Sequence, residues 1–210
     1  MTNIIAIDGP ASVGKSTLAK KISNYYGAPL LNSGRLYRAV ALDIINKKIN
    51  INNKNKILQY AKSLTYEKIK SEKLFSSKVD KVASKISSKK YLRKQLMAYQ
   101  REFPKKYAKG KKFVVIEGRD IGTKIFPQAK IKIFMWADTK VRAKRRYIQI
   151  KKNGGKTSLK QIYDEIVARD MSDLNRKIAP LRPAINSVLL DTSYLGIEQA
   201  FNTIKKYITN

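Results

Sequence analysis

The residues with the clearest capacity for chemistry lie near the start of the chain. Residues 9–16, GPASVGKS, fit the pattern G-x-x-x-x-G-K-[ST]. Its two glycines allow a tight turn that exposes backbone N–H groups to phosphate oxygens. Lys15 can reach the β and γ phosphates of a nucleoside triphosphate, and the Ser16 hydroxyl can ligate Mg²⁺. We therefore predict an ATP-binding phosphate loop that consists of Gly9, Pro10, Ala11, Ser12, Val13, Gly14, Lys15, Ser16 and Thr17.

A phosphate loop functions only between a strand and a helix, and the flanking residues predict both. Residues 4–8 form a short apolar run, which is typical of a buried parallel strand. Residues 15–26 have helical spacing, with Leu18, Ile22 and Tyr25 on one face. A helix that begins at the loop adds its positive dipole end to the binding of an anion. The motif therefore has the context that it requires.

Strands and helices alternate along most of the chain. Further strands are predicted at residues 29–32, 112–117, 131–136 and 188–191. Helices are predicted at residues 92–103 and 196–208, and at three further places where Ser33, Thr139 and Ser158 serve as N-caps. This alternation predicts an α/β fold in which helices cover both faces of a parallel sheet.

The length of 210 residues predicts a single domain over residues 1–210. Residues 50–91 are rich in Lys, Ser and Asn, and we interpret them as an inserted substrate-binding subdomain with weak helices and a short strand near Tyr66. Asn153, Gly154 and Gly155 break a basic helix and could act as a hinge. Residues 151–158 are therefore predicted to form a lid loop.

Composition excludes several classes of site and location. The chain has no cysteine and no histidine, which excludes disulfides, thiolate metal sites and an imidazole base. No apolar run approaches the roughly 20 residues that span a bilayer. The apolar run at residues 4–7 is too short for a signal peptide. We expect a cytoplasmic monomer without membrane contact.

The net charge of +30 has two explanations. Proteins that bind nucleic acid gather Lys and Arg into a patch or stripe. Here the 45 basic residues are spread along the chain, and stretches such as residues 105–112 are typical of a solvated surface. We favour an excess of surface lysine without a specific nucleic acid partner, although the field would also attract anionic substrates.

Four further segments resemble the bacterial cytidylate kinases, which belong to the nucleoside monophosphate kinases. They cover nearly the whole chain in the family's order, and the combination of GRDxGT with a later RDxxDxNR is specific to that family. The segments are residues 31–38 (LNSGRLYR), residues 117–123 (EGRDIGT), the pair Arg145–Arg146, and residues 169–176 (RDMSDLNR).

The resemblance implies an enzyme that transfers the γ-phosphate of ATP, with Mg²⁺, to CMP and dCMP. The residues that it implies for substrate binding are Ser33, Arg38, Ser84, Arg93, Arg119, Asp120, Arg169, Asp173 and Arg176. Those that it implies for catalysis are Lys15, Arg145, Arg146, Arg169 and Arg176. An acceptor that is itself a phosphate needs no general base, which agrees with the lack of histidine.

The implied roles follow a chemical division. Guanidinium groups bind phosphate through paired N–H donors, which suits Arg38, Arg119 and Arg176 as ligands of the acceptor phosphate. The resemblance assigns the cytosine base to Asp120, Arg93 and Ser84, and lid closure to the group Arg145, Arg146 and Arg169. Uracil would present a carbonyl to the Asp120 carboxylate, at a cost of about 1–3 kcal/mol per unpaired group. A kinase of another monophosphate such as UMP, or a basic nucleic-acid-binding protein, remains an alternative.

Overall fold

The structure is a computed structural model that describes residues 2–152 and 154–209, so the predicted hinge residue Asn153 lies outside the described residues. The strands are β1 (Asn3–Asp8), β2 (Leu30–Asn32), β3 (Phe113–Gly118), β4 (Ile131–Trp136) and β5 (Val188–Asp191). The helices are α1 (Lys15–Tyr26), α2 (Ser33–Asn46), α3 (Lys54–Lys62), α4 (Tyr66–Lys70), α5 (Ser77–Ile86), α6 (Lys90–Tyr107), α7 (Thr139–Lys152), α8 (Leu159–Asn175) and α9 (Ile197–Thr209). No helix among these residues is both long and apolar enough to cross a bilayer.

The strands form one sheet in the order β2-β3-β1-β4-β5. β1 pairs in parallel with β3 on one side and β4 on the other, and β4 pairs in parallel with β5. This register places Asp8, the last residue of β1, opposite Gly118 and Phe134. The prediction of a parallel sheet is confirmed. β1 is the central strand of this sheet, and it ends just before the phosphate loop.

The chain divides into two compact units, Met1–Leu30 with Tyr107–Asn210, and Leu31–Lys106. We call the first the core unit and the second the helical unit. In the core unit, the buried side chains Ile5 and Ile7 of β1 join Leu18 and Ile22 of α1 in the main apolar cluster. Tyr25, which was predicted to share the face of Leu18 and Ile22, is 55 % exposed.

Tyr25 lies at the edge of the buried face of α1. Its ring meets Phe201 edge-on at 5.2 Å and Tyr26 at 4.9 Å. A tyrosine commonly packs its apolar ring in this way while its polar tip stays in water. A second cluster in the core unit joins α7 to α8 through Ala143, Ile162 and Ile166.

The helical unit is wider than the insert predicted at residues 50–91. In it α2 packs against α3, α4 and α5. The strand predicted near Tyr66 is wrong, since Tyr66 is the first residue of α4. The Thr65 side chain caps this helix by accepting the N–H of Lys68, and the Tyr66 ring lies 5.7 Å from that of Phe103.

Two of the three predicted helix caps are displaced by one residue. Asn32, not Ser33, caps α2, because its Oδ1 accepts the N–H of Arg35 at 3.2 Å. At α7 the Asp138 carboxylate accepts the N–H of Lys140 at 2.7 Å, while Thr139 is the first helical residue. Asx side chains compete well for this position. The cap at Ser158 is confirmed, with Oγ accepting the N–H of Gln161 at 3.1 Å.

Candidate functional site

The phosphate loop packs its backbone directly on the sheet. Gly9 has a φ of +152°, and a Cβ at this position would lie 2.2 Å from the carbonyl oxygen of Met135. Gly14 is left-handed, with a φ of +98°, and it forms the N-cap of α1. The two motif glycines are therefore required for different reasons: Gly9 lets the chain pass close to β4, and Gly14 turns it into the helix.

Lys15 is buried, and its ammonium group donates hydrogen bonds to the backbone at the start of the phosphate loop. Nζ donates hydrogen bonds to the carbonyl of Gly9 at 2.8 Å and to that of Pro10 at 2.6 Å. Burial, aided by the positive charge of Arg119, holds the pKa of Lys15 well below its ordinary value, although nearby carboxylates oppose this. A bound phosphate would favour the charged form, because an anion close to an ammonium stabilises it.

Ser16 and Thr17, at the start of α1, are exposed. Together with residues that include Lys20 and Glu198, they line an open groove of about 760 Å³. Ser16 is thus an exposed residue at the N-terminus of a helix, next to the buried Lys15. This is where the motif requires the oxygen that meets a phosphate-bound cation.

Two side chains that the sequence did not point to, Arg142 and Thr192, donate hydrogen bonds to backbone carbonyls of the phosphate loop. The buried Arg142 donates to the Ala11 carbonyl at 3.1 Å and to Asp170 Oδ2 at 2.6 Å. Thr192, which follows β5, donates to the Val13 carbonyl at 3.2 Å. Asp170 lies within a segment that resembles the family and Arg142 lies three residues before the Arg145–Arg146 pair, but no side-chain spacing links either of them to a backbone carbonyl of the loop.

Three of the predicted substrate arginines converge on the buried carboxylate of Asp173. Arg119 Nε lies 2.9 Å and Arg169 Nε 3.4 Å from Oδ2, and Arg176 Nη1 lies 3.3 Å from Oδ1. Burial by itself would raise the pKa of Asp173, but the three guanidinium charges outweigh it and lower the pKa. The carboxylate is thus ionised and gathers the three guanidinium groups in one place.

Asp120, the predicted cytosine ligand, is buried beside this cluster, with Oδ1 4.0 Å from Arg176 Nη2. The backbone just after it is held by Asp8. The two carboxylate oxygens of Asp8 accept the N–H groups of Ile121 at 2.8 Å and Gly122 at 2.7 Å. Burial raises the pKa of Asp8 to about 6, against the effect of these two bonds. Glu117, buried at the end of β3, adds a further carboxylate near Lys15.

The predicted lid arginines point to different partners. Arg145 donates to the carbonyl of Thr192 at 2.5 Å and to that of Leu195 at 3.4 Å, after β5. Arg146 donates to Gln149 on its own helix at 3.0 Å. None of these bonds links the pair to the carboxylate of Asp173. Beyond α7, Gly154 is left-handed with a φ of +74°, as expected for a residue that ends a helix.

The remaining predicted ligands lie in the helical unit. Arg38 Nη1 lies 2.8 Å from Asp80 Oδ1, and its guanidinium group lies 5.1 Å from the Phe75 ring centroid. Arg93 is buried and donates to the carbonyl of Ser87 at 3.1 Å. The Ser87 hydroxyl in turn donates to the carbonyl of Ser84 at 2.7 Å. Ser84 and Arg93 are therefore linked through one residue, and the fourth member of the set, Ser33, is buried at the start of α2.

Comparison with solved structures shows the fold. The chain is similar to an uncharacterised protein from Eubacterium ventriosum, with a TM-score of 0.54 and 16 % identity, covering 100 % of this chain and 99 % of the other. It is also similar to TT1252 from Thermus thermophilus, with a TM-score of 0.51, 16 % identity and the same coverage. At this identity the similarity applies to the fold alone.

Sequence comparison shows the family. The cytidylate kinase from Bartonella quintana (strain Toulouse) is 41 % identical over 198 residues, which cover 94 % of this chain and 90 % of the relative. The cytidylate kinase from Brucella suis biovar 1 (strain 1330) is 38 % identical over 205 residues, covering 98 % and 92 %. The family model for cytidylate kinase matches residues 5–210, which include both the phosphate loop and the arginine cluster. This chain belongs to the cytidylate kinase family.

Proposed function

We propose that this protein transfers the γ-phosphate of ATP to CMP, giving CDP and ADP, and that it also accepts dCMP. One observation of the core unit carries the proposal. The unit that holds the phosphate loop also holds three arginines gathered on Asp173, with Asp120 beside them. The first element binds a nucleoside triphosphate and the second suits a second phosphate, so the pair fits transfer from phosphate to phosphate.

The chemistry requires placement and charge more than proton transfer. An anionic oxygen of the CMP phosphate attacks the γ-phosphorus, a new P–O bond forms, and the bond to the β-bridging oxygen breaks as ADP leaves. Lys15 balances negative charge on the donor phosphates once a phosphate replaces its contacts with the loop carbonyls. The guanidinium groups of Arg119, Arg169 and Arg176 neutralise the acceptor and hold it in line.

The residues present also fit a magnesium ion bound with the nucleotide. Among the residues that the structure describes, no three acidic side chains gather into a site that could hold a metal alone. Mg²⁺ in kinases is held by one or two protein oxygens together with phosphates and water. The hydroxyl of Ser16, an exposed residue at the N-terminus of α1, matches such a donor set. The ion would supply positive charge to the donor phosphates.

Selectivity for cytosine rests on Asp120 in the core unit. A carboxylate accepts a hydrogen bond from the cytosine amino group and cannot accept one from the uracil carbonyl. Asp120 is buried, so a mismatch there would not be relieved by water. The family match gives no support to a nucleic-acid-binding protein or to a UMP kinase. A cytoplasmic location and a monomeric state stay predictions.

A coupled assay of ADP release tests the proposal with CMP, dCMP, UMP and AMP as acceptors. CMP and dCMP should turn over at least tenfold faster than UMP and AMP at equal, subsaturating concentrations, which corresponds to one mismatched polar contact. The Lys15→Met variant should be inactive with every acceptor and shows that the activity is that of this chain. UMP turning over as well as CMP would overturn the cytosine assignment.

A further inference from the structure

The position of Asp8 joins the two loops of the core unit. Asp8 ends β1, and the phosphate loop begins with the next residue, Gly9. Its carboxylate is buried, with 3 % of the residue exposed. Through the N–H groups of Ile121 and Gly122, at 2.8 and 2.7 Å, it holds the backbone that directly follows Arg119 and Asp120. One side chain therefore connects the donor loop to a segment more than a hundred residues later.

Stability alone does not account for an acid at this place. The parallel pairing of β1 with β3 already sets Asp8 opposite Gly118, so the two strand ends meet without the carboxylate. Burying a carboxylate costs free energy even when it is hydrogen-bonded, and an apolar side chain often serves stability better. The carboxylate instead fixes the orientation of the turn after Asp120. Each of its oxygens accepts one of two adjacent peptide N–H groups.

We infer that Asp8 is a positioning residue that sets Arg119 and Asp120 in the orientation needed to bind the acceptor nucleotide. The inference rests on the proposed roles of those two residues. β1 is paired on both sides, with β3 and β4, so the phosphate loop keeps its place without the Asp8 side chain. The turn at Ile121–Ile125 takes its direction from the two bonds to Asp8. Loss of the carboxylate should therefore weaken acceptor binding and spare ATP binding.

The charges that face Asp8 agree with this role. Lys15 attracts its ionised form and Asp120 repels it. Displacing Asp120 by a fraction of an ångström would misalign any base that it binds, and misplacement on the order of 1 Å can cost about a hundredfold in rate. The Asp8→Asn variant keeps one acceptor oxygen and places an amide N–H₂ against the other backbone N–H. The Asp8→Ala variant removes both acceptors, so its defect should be larger.

Steady-state kinetics separate a positioning role from a structural one. Initial rates are measured for wild type, Asp8→Asn, Asp8→Ala, Asp120→Asn and the control Asp138→Asn, with each substrate varied in turn. Asp138 also accepts two backbone N–H bonds, from Lys140 and Val141, but at the surface. Asp8→Asn should raise KM for CMP roughly tenfold and Asp8→Ala more, while KM for ATP stays within about twofold. Asp138→Asn should change neither.

The outcomes distinguish the inference from the proposed function. If Asp120→Asn leaves KM for CMP unchanged, the assignment of cytosine to Asp120 fails. The inference about Asp8 is overturned if Asp120→Asn raises KM for CMP while Asp8→Asn does not. It is also overturned if Asp8→Asn raises KM for CMP and KM for ATP equally. Amide hydrogen exchange provides a second measurement should Asp8→Ala fail to fold. The Gly122 amide should exchange faster in Asp8→Asn than in wild type, with α9 unchanged, and unchanged exchange at Gly122 would also overturn it.

Discussion

Arg119 and Asp173 are 54 positions apart in the sequence, yet Arg119 Nε donates to Asp173 Oδ2 at 2.9 Å. The arginine follows β3 and the aspartate lies near the end of α8, so the bond joins a strand end to a helix. Only 4 % of the Asp173 side chain is exposed, against 21 % of that of Arg119. The carboxylate is thus the more deeply buried member of the pair, and the arginine is the more accessible to a phosphate.

The Asp173→Asn variant should lose both activity and stability. Asparagine keeps the size of the side chain but leaves Arg119, Arg169 and Arg176 without their shared negative charge. Breaking a buried pair costs about 3–5 kcal/mol, and exposure of the arginines reduces this to about 2 kcal/mol of unfolding free energy. We expect kcat/KM for CMP to fall about a hundredfold. Urea unfolding and initial rates measure the two effects. The exposed Asp164 on the same helix supplies the control Asp164→Asn, and equal behaviour of the two variants would contradict the prediction.

The titration of Asp8 should make the free energy of unfolding decrease as the pH rises. Burial raises the pKa of Asp8 from 3.8 to about 6 in the folded chain. Between about pH 4 and 6 the folded state therefore holds a proton that the unfolded state has lost, so stability decreases as pH rises. The difference between a pKa of 3.8 in the unfolded chain and about 6 in the folded one corresponds to about 3 kcal/mol. The unfolding free energy of wild type minus that of Asp8→Asn should fall over this interval and stay constant above it. A difference that rises with pH would contradict the assigned burial.

The Gly9→Ala variant should destroy nucleotide binding, whereas Gly110→Ala should not. Both glycines have positive φ, at +152° and +74°. A Cβ at Gly9 would lie 2.2 Å from the Met135 carbonyl, whereas one at Gly110 would meet no atom within 4 Å. Alanine at Gly110 carries only the conformational cost of about 1 kcal/mol. Alanine at Gly9 must also push β1 from β4. Thermal unfolding and fluorescence titration with an ATP analogue measure both variants, and equal losses would show that crowding by Met135 is not the cause.

How much of this molecule the sequence could predict depended on whether a pattern is local. The strands around the phosphate loop are short apolar runs, and the loop is a contiguous motif, so both were predicted. The start of α4 at Tyr66 was missed because the run is five residues long and is fixed by the Thr65 cap and by contact with Phe103. The partners of Asp8 and Arg142 were missed for another reason. Asp8 bonds two backbone N–H groups and Arg142 bonds two backbone carbonyls, and a backbone group leaves no side-chain signal in the sequence.

Arg142 should support ATP binding although it lies behind the phosphate loop. Its guanidinium group bonds the carbonyls of Ala11 and Ala137, at 3.1 and 2.9 Å, and the Asp170 carboxylate at 2.6 Å. The Arg142→Met variant leaves the half-buried Asp170 without its cation and releases the Ala11 peptide. We expect KM for ATP to rise roughly tenfold, with KM for CMP nearly unchanged, and the protein to lose about 3 kcal/mol of stability.

A double-mutant cycle with Asp170→Asn tests whether the pair acts as a unit. Because the two side chains share one bond, the second substitution should add little to the first, and the coupling energy should be about 1–3 kcal/mol. Arg142→Lys provides the matched control, since lysine keeps the charge but cannot reach two carbonyls and a carboxylate together. It should therefore retain more stability than Arg142→Met and still raise KM for ATP. Full recovery of ATP affinity in Arg142→Lys would show that charge alone, and not the bond to Ala11, holds the phosphate loop.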